Sequence, residues 1–279
     1  MIIPNFKFYD KEKIFNIFLI MFASFHFITM YYNDVLLVDD LAKMYEVFEL
    51  KKGTGNYFTF IHMFLDTETM TSRPISGIIT GTLVYISKFN SNLYFLGSIL
   101  FYFSILVIFN TLKRIFESEA AVFISFLYCL LFMGSSIQYS PIMLNSSLAT
   151  IFYCISLNYI LKSNGKYNVL YSLIFFFFSS LSYEIFIPLM VINLFFVKGS
   201  LMKGKYFLSS ILLILLYRRG MEPFLFVNYY KRDIIGNVFD MERLKRIFIL
   251  VFKLFSRDII ATIYRSVIAI KFYSLLDYL

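Results

Sequence analysis

Tryptophan is absent from the 279 residues, and there are only two cysteines, two histidines and five prolines. The missing tryptophan goes with a wealth of Phe, Ile, Tyr, Lys and Asn, a codon-level bias of AT-rich coding that excludes nothing. Cys129 and Cys154 both sit inside apolar runs, which excludes a disulfide framework and a thiolate metal centre. They read as small buried apolar residues. The 11 glycines are scattered and form no phosphate-cradling loop, and neither a Ser/His/Asp pattern nor a zinc spacing is present. Charge is scarce as well, at 16% of residues, against 59% hydrophobic and 21% aromatic, with a mean hydropathy of +0.72. A soluble domain has nowhere to put that much apolar surface.

What is present is a series of membrane-length apolar runs. The first covers 14–32, and nineteen helical residues rise about 28 Å, enough for the hydrocarbon core. Its length, and the lack of a small-residue site after it, argue against a cleavable signal peptide. Further runs cover roughly 75–88, 93–112, 120–134, 141–161, 168–198, 206–217 and 246–273. The 168–198 run is too long for one crossing and reads as two helices meeting near Ser182, Tyr183 and Glu184. The expected fold is all-α: one integral membrane domain over 1–279, a polytopic helical bundle of about eight to ten spans. Lys7, Lys11 and Lys13 place the N-terminus in the cytoplasm and residues 33–74 outside. Downstream parity stays open. Simple alternation puts Lys113 and Arg114 outside, against the rule, whereas a single crossing of 75–112 puts them inside. The basic C-terminal third, with Arg218, Arg219, Lys231 and Arg232, reads as headgroup contact and not as a nucleic-acid surface, since its bases interleave with apolar runs.

The outer loop carries the acids of interest, Asp34, Asp39 and Asp40. In 39–50, Leu41, Met44, Tyr45 and Phe48 share one helical face, so the spacing predicts an amphipathic juxtamembrane helix. Residues 57–65 predict a second, separated from the first by Gly53 and Gly55. Asp39 fits an N-cap and Asp40 a first-turn residue, which needs no function. Equally, a carboxylate held at the bilayer surface can act as general base toward a hydroxyl. In 71–76, Ser72 fits an N-cap and Pro74 the first turn of a helix. Arg73 beside that positive helix end is unfavourable unless an anion is bound there, and phosphate suits both groups. The alternative is snorkelling to headgroup phosphate. Glu184, in an apolar run, sits either in a surface turn or at a cavity mouth beside Tyr183. His62 lies in the outer loop, where it can reach substrate, and His26 reads as a packed residue.

The elements "DDLAK" (39–43), "SRPIS" (72–76) and "LSYEIFIPL" (181–189) follow one another in a pattern that resembles GT-C-type membrane glycosyltransferases. The likeness is to the bacterial O-antigen glucosyltransferase-like group, and it covers about residues 10–200. In that group an acidic pair follows the first span and an Arg-Pro element opens the second. The resemblance implies transfer of a sugar from a polyprenyl-phosphate donor to a cell-surface glycan or lipid-linked acceptor, at the outer face of a bacterial inner membrane, with inversion. Asp39 or Asp40 would be the base, and Arg73 would grip the lipid phosphate. Asp34, Lys43, Tyr183, Glu184 and His62 would contact substrate. The group usually has arginine where this chain has Lys43, and its members run longer, which implies a reduced or incomplete part at 218–279. No cofactor is called for, though paired aspartates can hold a divalent metal. The competing readings are a polysaccharide polymerase, a transporter or flippase of lipid-linked sugars, and a non-catalytic membrane subunit.

Overall fold

The computed structural model describes residues 9–33, 56–67, 70–87, 96–133, 144–162 and 165–227, together with Lys245 and Ile249. The chain divides into two compact units, Met1–Tyr230 and Lys231–Leu279. All the helices numbered here lie in the first unit. They are α1 (Tyr9–Asn33), α2 (Tyr57–Leu65), α3 (Pro74–Ser87), α4 (Leu96–Leu112), α5 (Ser118–Met133), α6 (Leu144–Lys162), α7 (Lys166–Ser182), α8 (Met190–Phe196), α9 (Ser200–Leu215) and α10 (Glu222–Leu225). A 3-10 turn, Glu184–Leu189, joins α7 to α8, and a π-helical segment, Leu216–Met221, joins α9 to α10. No strand occurs among the described residues.

Two helical stretches among the described residues are long and apolar enough to cross a membrane: Leu144–Lys162, and the continuous Ser200–Leu225. Shorter apolar helices accompany them at Pro74–Ile86, Ile99–Leu112, Ser118–Cys129, Tyr167–Ser182 and Glu184–Phe196. The break expected near Ser182 is present: Tyr183 is extended (φ −157°, ψ 116°) and ends α7.

Packing follows side-chain size and polarity. Phe15 and Leu19 of α1 pack with Phe101, Ile105 and Phe109 of α4 and with Ala121 and Cys129 of α5. A second cluster gathers Tyr153 and Leu157 of α6, Val169 and Phe176 of α7, Met190 of α8 and Tyr206 of α9. Inside it lies a polar knot. Ser156 donates to the Ser172 carbonyl at 2.8 Å, and Asn193 Nδ2 donates to Tyr206 Oη at 2.8 Å and to Ser156 Oγ at 3.2 Å. The outward faces, by contrast, are apolar: Ile14, Ile17, Ile20 and Met21 on α1, and Leu201, Leu208, Leu212 and Leu215 on α9, are all exposed.

The helix of 57–65 forms as the spacing predicts, started by Asn56, whose Oδ1 accepts from the Thr59 N–H at 2.8 Å. It lies antiparallel along α3. Phe60 and Phe64 pack on Val84, and Tyr57 Oη pairs with Thr82 Oγ1 at 2.6 Å. Two glycines one turn apart make the close approach possible. A methyl group on Gly77 would sit 2.6 Å from Leu65 Cδ2, and one on Gly81 would sit 2.8 Å from Phe64 Cδ1. This is the small-residue spacing by which apolar helices pack tightly. The amphipathic stretch 39–50 lies outside the described residues.

Hydrogen bonds define two ends of this unit. Ser179 Oγ donates to the Ala149 carbonyl at 2.8 Å, so α6 and α7 are antiparallel, with Lys162 and Lys166 at one end. Asn158 Nδ2 donates to Thr111 Oγ1 at 2.8 Å, which brings the C-terminus of α4 to that end. Lys113 pairs with Glu12 at 2.5 Å, and Ser118 donates to Glu12 at 2.8 Å, so the start of α1 joins them. The Lys113 ammonium and then the Ser118 hydroxyl hold the Glu12 carboxyl below its ordinary range. Tyr206 pairs with Ser172 midway along α7 and Tyr217 reaches the Thr71 carbonyl beyond the far end of α9, so the start of α9, with Lys203 and Lys205, lies on the side of the basic end. Lys113 and Arg114 thus share an end of the unit with the N-terminal turn of α1. At the opposite end lie Arg73, Glu184, Tyr217, Arg218 and Glu222.

Candidate functional site

The site at that second end is built from three helix termini. Pro74 occupies the first position of α3, where its missing N–H costs nothing. The Arg73 carbonyl accepts the first helical bond, from Gly77 N–H at 2.8 Å, and Arg73 N–H donates to the Met70 carbonyl at 2.9 Å. The cap position therefore falls on Arg73, one residue later than the expected Ser72. The tight turn before the helix buries Ser72 instead. Ser76 Oγ donates to the Ser182 carbonyl at 3.0 Å and ties α3 to the end of α7.

That tie sets Arg73 against Tyr183 and Glu184. Arg73 Nε donates to Glu184 Oε2 at 2.8 Å, and Nη2 donates to Oε1 at 2.9 Å. The guanidinium lies 4.6 Å over the Tyr183 ring. The pair is bidentate, which is the strongest geometry for an arginine and a carboxylate, and the ring adds a cation–π contact. Both side chains remain about one-fifth exposed, at 22% and 20%, so the pair opens to the surroundings. The anion that Arg73 requires at a positive helix end is supplied here by Glu184.

A second layer lies beside it. Tyr217 donates to the Thr71 carbonyl at 2.8 Å from within the π-helical segment, which turns its ring into the interior. Arg218 Nη1 donates to Glu222 Oε2 at 3.2 Å. Glu222 is 2% exposed, and its Oε1 is buried without a hydrogen-bond partner. A π-turn in an apolar helix frequently marks a functional position, because it costs helical hydrogen bonding.

Of the residues picked out from sequence, the structure brings together Arg73, Tyr183 and Glu184. His62 stands exposed on α2 with Phe226 as a ring neighbour, 6.3 Å between centroids. Asp34, Asp39, Asp40 and Lys43 lie outside the described residues. Thr71, Tyr217 and Glu222 were not picked out, and Arg218 was read only as a headgroup contact. The signal available was the i, i+4 spacing of Arg218 and Glu222, which pairs opposite charges on one helical face. Among the described residues no three His, Cys, Asp or Glu side chains gather as a metal site.

Chemically, the guanidinium fork fits a phosphate as well as it fits a carboxylate, so Glu184 occupies the geometry that a phosphate would take. Comparison with protein-family models, with curated proteins and with solved structures finds no match to this chain.

Proposed function

We propose that the chain is a polytopic membrane glycosyltransferase. It is one integral domain of about eight to ten spans, in a bacterial inner membrane with its site facing outside. It moves a sugar from polyprenyl phosphate to a cell-surface glycan or lipid-linked acceptor. The observation that carries the reading is the Arg73–Glu184 pair. Two motifs that suggested the same enzyme group, 111 positions apart, meet in one bidentate contact beside Tyr183.

The membrane part of the reading is supported by where polarity sits. Exposed Ile and Leu cover α1 and α9, while Ser, Thr and Asn lie between helices. Water-soluble monomers rarely show such broad apolar faces, and lipid-embedded helices pack through small polar residues. Lys13, Lys113, Arg114, Lys162, Lys203 and Lys205 gather toward one end, which fits the cytoplasmic side.

In the proposed reaction Glu184 is the resting partner of Arg73. Donor phosphate takes over the fork, and Glu184, released, accepts hydrogen bonds from sugar hydroxyls. Asp39 or Asp40 takes the proton from the acceptor hydroxyl, whose oxygen attacks the anomeric carbon. The bond to the lipid phosphate breaks, and Arg73 stabilises the departing phosphate. Asp34, Lys43 and His62 line the substrate path.

The test is sugar transfer from a polyprenyl-phosphate sugar by protein in membranes. Asparagine caps a helix nearly as well as aspartate, so Asp39→Asn and Asp40→Asn separate cap from base. Loss of a general base slows transfer by roughly 100-fold or more, without loss of inserted protein. Parental rates in both variants would remove the base from this loop.

A further inference from the structure

At the basic end, on the far side of the molecule from the proposed transfer site, a cleft of about 230 Å³ opens between the C-termini of α4 and α6. It is lined by Arg114, Ile155, Asn158, Tyr159 and Lys162. Arg114 and Lys162 are both exposed and neither carries an ion pair among the described residues, in contrast to Lys113, whose ammonium is engaged by Glu12. Among the described residues no acid lines the cleft. Each cation by itself has a simple explanation, since a base in the last turn or just beyond a helix offsets the negative end of the dipole. That account does not by itself explain why Arg114, from the turn after α4, and Lys162, from the last turn of α6, line one concavity, where an anion between them would offset the repulsion of like charges.

The wall is polar in a particular way. Asn158 spends its Nδ2 on Thr111, so what the cleft offers an anion is its cationic groups. Tyr159, stacked on Phe175 at 5.7 Å between centroids, forms a firm side. The cleft falls below the roughly 300–1,000 Å³ of sites that enclose drug-sized ligands. Its volume therefore suits a headgroup-sized anion and is too small for a nucleotide-sugar.

We infer that this cleft binds a phosphate group, with Arg114 and Lys162 as its two cationic contacts. The phosphate comes either from an anionic lipid headgroup or from free phosphate. Basic hollows between membrane helices on the cytoplasmic side are the usual seats of phospholipid headgroups. The inference is independent of the transfer chemistry proposed at the other end.

The test uses the purified full-length chain in phosphatidylcholine nanodiscs doped with phosphatidylglycerol, with retained lipid read by native mass spectrometry. A second arm follows the melting temperature on adding inorganic phosphate. The variants are Arg114→Gln, Lys162→Gln and the double, with Lys203→Gln/Lys205→Gln as a control that removes the same charge from the same end. Each single variant is expected to weaken binding about five-fold. Phosphatidylglycerol held by the parent and the control, and lost from the cleft double, supports the site with a lipid source. No lipid held, but phosphate stabilising parent and control and not the cleft double, supports it with a free-phosphate source. Equal loss in both doubles, or no loss in either, overturns it, since generic surface charge would then explain any binding.

Discussion

At the scale of single residues, Arg73 is the informative one. A cation at a helix N-terminus works against the dipole, and the sequence alone says that an anion must answer it. That anion is Glu184, 111 positions away, a distance no local pattern reports. Periodicity along the chain reveals faces, not partners. The same blindness explains why the Tyr217–Thr71 contact was out of reach, although the neighbouring i, i+4 pair Arg218–Glu222 was in plain view. The cap falls one position past Ser72 because Pro74 takes the first helical position, and the bond from Gly77 to the Arg73 carbonyl fixes Arg73 as the cap residue. Removing the carboxylate tests the structural share of the pair. Glu184→Gln is expected to lower stability by about 1–3 kcal/mol, toward the lower figure because both groups are partly exposed. Thermal unfolding in detergent measures it, and an unchanged transition would mean the pair holds nothing together.

At the scale of elements, the starts and breaks were legible and the contacts were not. Pro74 marks the start of α3, and the 57–65 apolar spacing marks α2. The 168–198 run divides at Tyr183, where length alone demanded a break. What spacing did not convey is that α2 lies along α3, although Gly77 and Gly81 stand four residues apart and leave room for it. Glycine here has two different effects. At Gly81 a side chain meets Phe64 Cδ1 at 2.8 Å and Ile61 Cδ1 at 3.0 Å, whereas at Gly204 nothing lies within 4 Å. Gly81→Val is therefore expected to destabilise by about 1–3 kcal/mol through overpacking. Gly204→Ala is expected to be neutral or to gain up to about 1 kcal/mol from helix propensity. Paired melting curves decide this, and the opposite order would refute the α2–α3 contact.

At the largest scale, among the described residues of the unit Met1–Tyr230, charge and apolar surface are both sorted. The bases near Glu12, Thr111 and Lys162 share one end, and the Arg73 and Arg218 ion pairs share the other. If the chain lies in a membrane as proposed, single cysteines replacing Lys13 and Lys113 label from one side of intact cells and a cysteine at Arg219 labels from the other. Cys129 and Cys154 are buried and stay silent. Labelling of Lys113 and Arg219 positions from the same side would undo the orientation. The central claim is that the Arg73 fork exists to take a phosphate and that Glu184 keeps its place. The most direct measurement is sugar transfer from polyprenyl phosphate by the parent and by the exchanged pair, Arg73→Glu with Glu184→Arg. The exchange keeps an ion pair and puts a carboxylate where the α3 dipole favours it, so it is expected to melt above the Glu184→Gln variant. The parent is expected to transfer sugar and the exchanged protein to transfer none. Failure of the parent to transfer, or transfer at the parental rate by the exchanged pair, would contradict the account.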